Sequence, residues 1–199
     1  MDKENKNQTA LDVESSKSYF GFWVYILTDC VLFASLFATY AVLHMNTFGG
    51  PSADQLFDPN FVLLETLFLL TSSFTAGLGI ISAYKQDKKL VLAFFALTFL
   101  LGASFVGLEL SEFAKFISRG NGFTRSGFLS SYFTLVGTHG LHVTAGLLWM
   151  GILLIRIRRL GLTPKNVKRL TLLTLFWHFL DIIWIFIFTI VYMLGMVMG

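Results

Sequence analysis

The chain contains five long runs of apolar residues, each long enough to cross the hydrocarbon core of a membrane. A membrane-spanning helix needs about 20 such residues, because the core is about 30 Å thick and each helical residue rises about 1.5 Å. The runs occupy residues 20–43, 61–84, 90–112, 128–155 and 170–196. They predict an all-α, polytopic membrane protein with a single five-helix transmembrane domain, residues 20–199, preceded by a polar tail, residues 1–19.

The composition excludes several classes of protein. Hydrophobic residues make up 55% of the chain and charged residues 14%, which is too apolar for a soluble domain of 199 residues. Cys30 is the single cysteine, so no internal disulfide or thiolate metal cluster is expected. The prolines Pro51, Pro59 and Pro164 all lie in predicted connections. Unbroken helices are therefore expected, which disfavours a transporter core.

The basic residues predict how the chain is oriented. Twelve of the 15 Lys and Arg residues lie in the tail, the second connection and the fourth connection, whereas three lie in the third connection. The positive-inside rule therefore predicts a cytoplasmic N-terminus and a periplasmic C-terminus. Basic residues in loops report topology, so no nucleic-acid partner is expected. Arg156, Arg158 and Arg159 in the fourth connection are candidate contacts for anionic lipid head groups, although the topology signal alone also explains them.

Five ionisable residues lie near the centre of the predicted helices. An aspartate at the centre of a membrane helix costs about 2.5 to 3.5 kcal/mol on the mildest scale, so each such residue needs a partner. We expect them to form one buried structural polar layer, in which an imidazole reaches a carboxylate or a backbone carbonyl. The alternative is that the histidines bind haem or copper, for which imidazole is a usual ligand. The five residues are Asp29, His139, His142, His178 and Asp181.

Three carboxylates form a second predicted layer toward the outer side of the membrane. They are Glu65 at the start of the second span and Glu109 and Glu112, almost one turn apart, at the end of the third. They could form an entry site for protons or cations. The favoured interpretation is ordinary ion pairing with Arg119 and Arg125 in the adjoining connection.

Small residues one turn apart are a further packing signal. Ser73 with Gly77, and Ala103 with Gly107, place small side chains on one helix face, a pattern that lets membrane helices approach closely. Ordinary membrane composition explains the same pattern equally well.

Two segments resemble a known family. Residues 137–143 read Gly-Thr-His-Gly-Leu-His-Val, and residues 177–184 read Trp-His-Phe-Leu-Asp-Ile-Ile-Trp. Both resemble the characteristic segments of haem-copper oxidase subunit III. Residues 111–113, Ser-Glu-Phe, and Asp29 extend the resemblance. Residues 22–23, 37–41 and 49–51 are most similar to the cytochrome o ubiquinol oxidase branch.

The resemblance implies an accessory subunit of a terminal oxidase in a bacterial inner membrane. The haems, copper and quinol would belong to subunit I, on which this chain would pack beside subunits II and IV. It would stabilise subunit I and sustain its proton uptake, with no catalytic residue, cofactor or metal of its own. Longer members have seven helices and this chain corresponds to the last five, so the lipid-filled cleft of those members would not form from this chain alone. Bound phospholipid remains a possibility.

Other functions stay open at this point. Within the resemblance, the donor could be menaquinol or cytochrome c, and a more distant relative serves nitric oxide reductases. Outside it, the chain could be a stand-alone haem b membrane cytochrome that uses the central histidines, or a proton-coupled carrier that uses Asp29 and the outer glutamates. A cytochrome would carry haem in isolation, and a carrier would support uptake without partners.

Overall fold

The computed structural model describes the backbone of residues 2–51 and 53–195 and the side chains of residues 17–51, 53 and 56–195. The described part of the chain is helical, without strands. The helices are α1 (Asp2–Leu43), α2 (Ala53–Leu56), α3 (Pro59–Tyr84), α4 (Lys88–Ser118), α5 (Gly127–Leu160) and α6 (Pro164–Ile187), which continues as a π-helix (Phe188–Met193). Five of them, α1 and α3 to α6, are long and apolar enough to cross a membrane. The all-α class with five candidate spans is therefore confirmed.

The helices are longer than the apolar runs that predicted them. Polar side chains immediately before the runs cap the first turns: Asp58 accepts from the backbone N–H of Asn60, and Asp87 accepts from those of Lys89 and Leu90. Ser126 and Thr163 cap α5 and α6 in the same way. These contacts satisfy backbone donors that have no partner inside the helix. Hydropathy marks only the apolar part of each helix and so misses the capped turns.

At the N-terminus, α1 extends back through the predicted tail to Asp2. This segment contains three Lys and two Glu, which favour helix without being apolar. At the other end, residues 196–199, where the fifth predicted run finishes, lie outside the described residues, as do Met1 and Ser52.

Four of the spanning helices form a closed ring. Helix α3 packs on α4, α4 on α5, α5 on α6, and α6 on α3, whereas α1 packs outside the ring against α5 and α6. The short connection between Tyr84 and Lys88 makes α3 and α4 antiparallel neighbours, as the sequence predicted. The ring encloses large buried side chains, including Trp177, Trp184, Phe105 and Met150.

The close approaches between helices occur at glycines other than those expected. A Cβ at Gly102 would lie 2.8 Å from the indole ring of Trp177, and a Cβ at Gly79 would lie 2.7 Å from the ring of Phe95. Nothing lies within 4 Å of such an atom at Gly77 or Gly107, so of the two explanations for their spacing, ordinary membrane composition fits these two glycines. Because Gly79 and Gly102 have no side chain, an aromatic ring from another helix fits against each of them. The spacing of small residues predicts where helix backbones approach each other, and it does not predict contacts of this kind.

Candidate functional site

The five central polar residues do not form the single layer that was expected. Asp29 and His142 form one cluster, and His178 and Asp181 form a second cluster on a different side of the bundle. His139 lies apart from both and is enclosed by aromatic rings.

The first cluster joins α1 to α5. His142 Nε2 lies 3.6 Å from Asp29 Oδ1. The other ring nitrogen, Nδ1, donates to the carbonyl of Thr138 at 2.8 Å, one turn earlier on α5. This bond fixes the imidazole plane and turns Nε2 toward the aspartate. Phe33 covers the histidine ring, with the ring centroids 5.3 Å apart. The predicted reach of an imidazole to a carboxylate on another helix is present at this pair.

The second cluster joins α3 to α6 through a serine. Ser73 Oγ lies 2.6 Å from His178 Nδ1, which is a hydrogen-bond distance. The carboxyl group of Asp181 interacts electrostatically with both Ser73 and His178, and its buried Oδ1 has no hydrogen-bond partner. Ser73 and Asp181 are 5% and 9% exposed. The histidine and the aspartate of α6 are therefore grouped with a hydroxyl from another helix.

His139 is fully buried and has no hydrogen-bond partner on either ring nitrogen. Its ring stacks on Trp184 with centroids 5.3 Å apart and meets Phe105 edge-on at 5.9 Å. Trp184 is itself anchored, because its Nε1–H donates to Thr66 Oγ1 on α3 at 3.0 Å. This histidine thus lies in an aromatic enclosure and contributes to neither polar cluster.

The three outer carboxylates come together inside the ring of helices. Glu65 is fully buried, and Glu109 and Glu112 are 3% and 4% exposed. Glu112 Oε2 accepts hydrogen bonds from the hydroxyls of Tyr132 at 2.7 Å and Tyr192 at 2.9 Å. Both oxygens of Glu65 and Oε2 of Glu109 have no partner. The carboxyl group of Glu109 occupies the space beside Gly140, where a Cβ would lie 2.5 Å from Oε1.

The expected ion pairs between these carboxylates and the outer-loop arginines are absent from the described part of the chain. Arg119 and Arg125 are exposed, and the guanidinium of Arg125 lies beside Gly50 in the first outer connection. The prediction was wrong because the loop arginines remain where water can solvate them, whereas the carboxylates lie inside the bundle. Lys115, a cation that interacts electrostatically with Glu65 and Glu112, is also exposed, and its Nζ lies over the ring of Phe61, 4.6 Å from the centroid.

The candidate lipid-binding arginines lie at the opposite end of the bundle. Arg156, Arg158 and Arg159 are exposed on the last turns of α5. Arg156 Nε donates to the side-chain oxygen of Asn166, a buried residue of α6, at 3.1 Å. Arg156 therefore has a structural contact, which distinguishes it from the other two arginines.

The sequence did not predict three of the polar contacts, namely Ser73 beside His178 and the hydroxyls of Tyr132 and Tyr192 as donors to Glu112. Tyrosines near the ends of membrane helices are normally interfacial, so nothing marked this pair as buried. Ser73 was noticed only as a small residue. Helical spacing could have indicated that Tyr132 is buried, because it lies on the same helix face as Val136 and His139.

Comparison with known proteins identifies relatives over nearly the whole chain. The family model for cytochrome c oxidase subunit III matches residues 6–196. Cytochrome bo(3) ubiquinol oxidase subunit 3 of Pseudomonas aeruginosa is 57% identical over 176 residues, which are 88% of this chain and 84% of the relative. Cytochrome c oxidase subunit 3 of Bacillus sp. strain PS3 is 46% identical, over 93% of this chain and 89% of the relative. Quinol oxidase subunit 3 of Bacillus subtilis is 44% identical, over 88% of this chain and 86% of the relative.

Proposed function

The chain belongs to the cytochrome c oxidase subunit III family, and from this membership we propose that it is subunit III of a proton-pumping terminal oxidase that uses ubiquinol to reduce O2. The observation that carries the choice of ubiquinol is the 57% identity to a subunit of that name in Pseudomonas aeruginosa. The family also contains subunits named for cytochrome c oxidase and for quinol oxidase at 46% and 44% identity. Menaquinol and cytochrome c are therefore the competing donors.

The proposed role of the chain is accessory, with haems, copper and quinol held by subunit I. The packing of the histidines supports this role. A porphyrin reaching the nitrogens of His139 would have to displace Trp184 or Phe105, which enclose that ring. His142 already contacts Asp29 and Thr138. His178 would then lack a second axial histidine from another helix, as a bundle haem needs. In the described residues, no three His, Cys, Asp or Glu side chains are grouped to hold a metal ion.

The proposed setting is a bacterial inner membrane, with the N-terminus in the cytoplasm and with subunits I, II and IV as partners. The distribution of Lys and Arg supports the orientation. Exposed apolar side chains on all five spanning helices support a position among lipids and partner helices; examples are Val31, Phe74, Leu100, Leu148 and Phe186. Arg158 and Arg159 support contact with anionic lipid at the cytoplasmic surface.

The stabilising role is proposed from the polar clusters. Each cluster ties together helices that are distant in sequence, and each uses side chains that would be costly to leave unpaired inside a membrane. A chain held in one shape by such contacts can present a fixed surface to subunit I, which would sustain proton uptake there by keeping the complex intact.

The test is to purify the tagged chain gently from native membranes and identify the proteins that accompany it. Haem that appears only with a large polytopic partner, and ubiquinol-driven oxygen consumption by the same preparation, are the expected results. Supplying menaquinol and reduced cytochrome c to the same complex tests the donor. Haem retained by the isolated chain would overturn the accessory role, and full turnover by an oxidase that lacks the chain, without loss over time, would overturn the stabilising role.

A further inference from the structure

Three oxygen atoms form a closed triangle inside the bundle. Glu112 Oε2 lies 2.7 Å from the hydroxyl of Tyr132 and 2.9 Å from that of Tyr192, and the two hydroxyls are 2.9 Å apart. All three separations are hydrogen-bond lengths. Each tyrosine contributes a single hydrogen, so the two hydroxyls can fill only two of the three edges.

Because one edge of the triangle lacks a hydrogen, the three oxygen atoms can hold either two or three hydrogens. With Glu112 ionised, both tyrosines donate to it, and the contact between the two hydroxyl oxygens contains no hydrogen. With Glu112 protonated, its hydrogen completes a ring in which every edge has one donor. Both states use the same atomic positions, so a proton can enter or leave without rearrangement of the helices. A buried ring of this kind is also strengthened by mutual polarisation of its bonds.

Two further carboxyl groups face the triangle without donors of their own. Glu65 on α3 is fully buried with both oxygens unpartnered, and it interacts electrostatically with Glu109, Glu112 and Tyr192. Glu109 is 3% exposed and has one buried oxygen without a partner. An ionised carboxylate in such a place is shielded from bulk solvent and accepts no hydrogen bond from the described protein groups, and a bound proton removes the resulting cost.

Among the residues whose side chains the structure describes, no other charge on the surrounding elements substitutes for the proton. The titratable groups that face the cluster are Glu65 from α3, Glu109 and Glu112 from α4, Tyr132 from α5 and Tyr192 from the π-helix. Lys115 also acts on it from α4, but its side chain is exposed and its Nζ lies over the ring of Phe61. From α1, the Tyr40 hydroxyl is committed to the carbonyl of Val191 at 3.3 Å.

We propose that Glu65, Glu109 and Glu112, together with Tyr132 and Tyr192, form a buried proton-binding site in which at least one carboxyl carries an exchangeable proton. The ligand is the proton itself. This inference goes beyond the accessory role, which needs no proton site in this chain. The site lies at the end of the bundle where α3 and α5 begin and α4 ends, opposite the basic connections. With the proposed orientation, it exchanges protons with the periplasmic side.

Infrared spectroscopy of the intact purified oxidase tests the proposal directly. Difference spectra are recorded between the natural complex and each of three variants, Glu65→Gln, Glu109→Gln and Glu112→Gln. At least one spectrum is expected to lose the C=O stretch of a protonated carboxyl, and that band shifts on transfer to D2O. Glutamine resembles the protonated acid in shape, so assembly is preserved. The matched control is Asp58→Asn, which removes an exposed carboxyl at the start of α3, keeps a capping residue and is expected to lose carboxylate bands only.

A second measurement covers variants that fail to assemble. If the folded chain holds protons that the unfolded chain releases, the stability of the chain in the complex decreases as the pH rises from about 6 to about 9. The natural complex should show this decrease, and the double variant Glu65→Gln/Glu109→Gln should show a weaker one. The proposal is overturned if all three difference spectra contain carboxylate bands alone, or if the chain leaves the natural complex at the same temperature throughout that pH range.

Discussion

Replacing Gly102 by alanine is expected to weaken the bundle at a crowded contact between three helices. The new methyl group would lie 2.8 Å from two carbons of the Trp177 indole and 3.0 Å from a methyl group of Leu147. Trp177 is 1% exposed, and its Nε1–H donates to Ser72 Oγ on α3 at 3.0 Å. The indole therefore has no open space to enter, and any movement that relieves the contact stretches its hydrogen bond.

The magnitude follows from three contributions. Overpacking a well-packed core costs about 1–3 kcal/mol, and losing the indole hydrogen bond costs about 1 kcal/mol more. Against this, alanine is favoured over glycine within a helix by about 1 kcal/mol. The net destabilisation expected for Gly102→Ala is about 1–3 kcal/mol.

The matched control is Gly107→Ala on the same helix. No atom lies within 4 Å of a Cβ at that position, so only the gain in helix propensity remains. The two variants should therefore differ by about 2–4 kcal/mol, with Gly107→Ala equal to or more stable than the natural chain. The assay is the temperature at which half of the chain has left the detergent-solubilised complex. Equal release temperatures for the two variants would refute the packing argument.

The other substitutions test the enclosed histidine, the second polar cluster and the two exposed arginines at the end of α5. His139→Phe should leave the stability of the complex unchanged or raise it by about 1 kcal/mol, because it removes two unpartnered buried nitrogens; loss of haem from the complex, read from its optical spectrum, would contradict this. Asp181→Leu should lower the yield of assembled complex, at a cost of about 1–3 kcal/mol, because Ser73 and His178 lose the carboxyl group that interacts with them, whereas Asp181→Asn should retain more of the yield; normal yield with abolished oxygen reduction would argue for a redox role. Arg158→Gln with Arg159→Gln should reduce the anionic lipid that copurifies, measured by mass spectrometry, and unchanged lipid content would show that these arginines report topology alone.

Hydropathy was sufficient for the number of spanning helices, because each helix must hide its own backbone polar groups from lipid. The short connection Lys85–Asp87 likewise determined that α3 and α4 are neighbours. The sequence could not indicate which helix would lie outside the ring. All five spans are similarly apolar, so that choice depends on the shapes of side chains, such as the fit of Trp177 against Gly102 and Gly146.

The partners of the central polar residues were less predictable. His139 and His142 are three residues apart, yet one faces Trp184 and the other faces Asp29. Residues at this spacing differ by about 60° around a helix axis, which is enough to direct them to different neighbours at the edge of a ring. His178 and Asp181 both have Ser73 as a neighbour, because the α3 helix that carries Ser73 packs against α6.

Helix α1 depends on polar contacts more than its apolar composition suggests. Within residues 17–43, where its side chains are described, the buried ones form a narrow stripe, Ile26, Asp29, Phe33 and Tyr40, and most of the other large apolar residues are exposed. Burying apolar side chains against other helices gains little in a membrane, because lipid is equally apolar. Two contacts made by this stripe are polar. Asp29 meets His142 at mid-helix, and the Tyr40 hydroxyl donates to the carbonyl of Val191 near the end of the π-helix, where carbonyl groups have few partners within their own helix. Both would be costly to leave unpaired in hydrocarbon, so they determine where α1 docks and in which register.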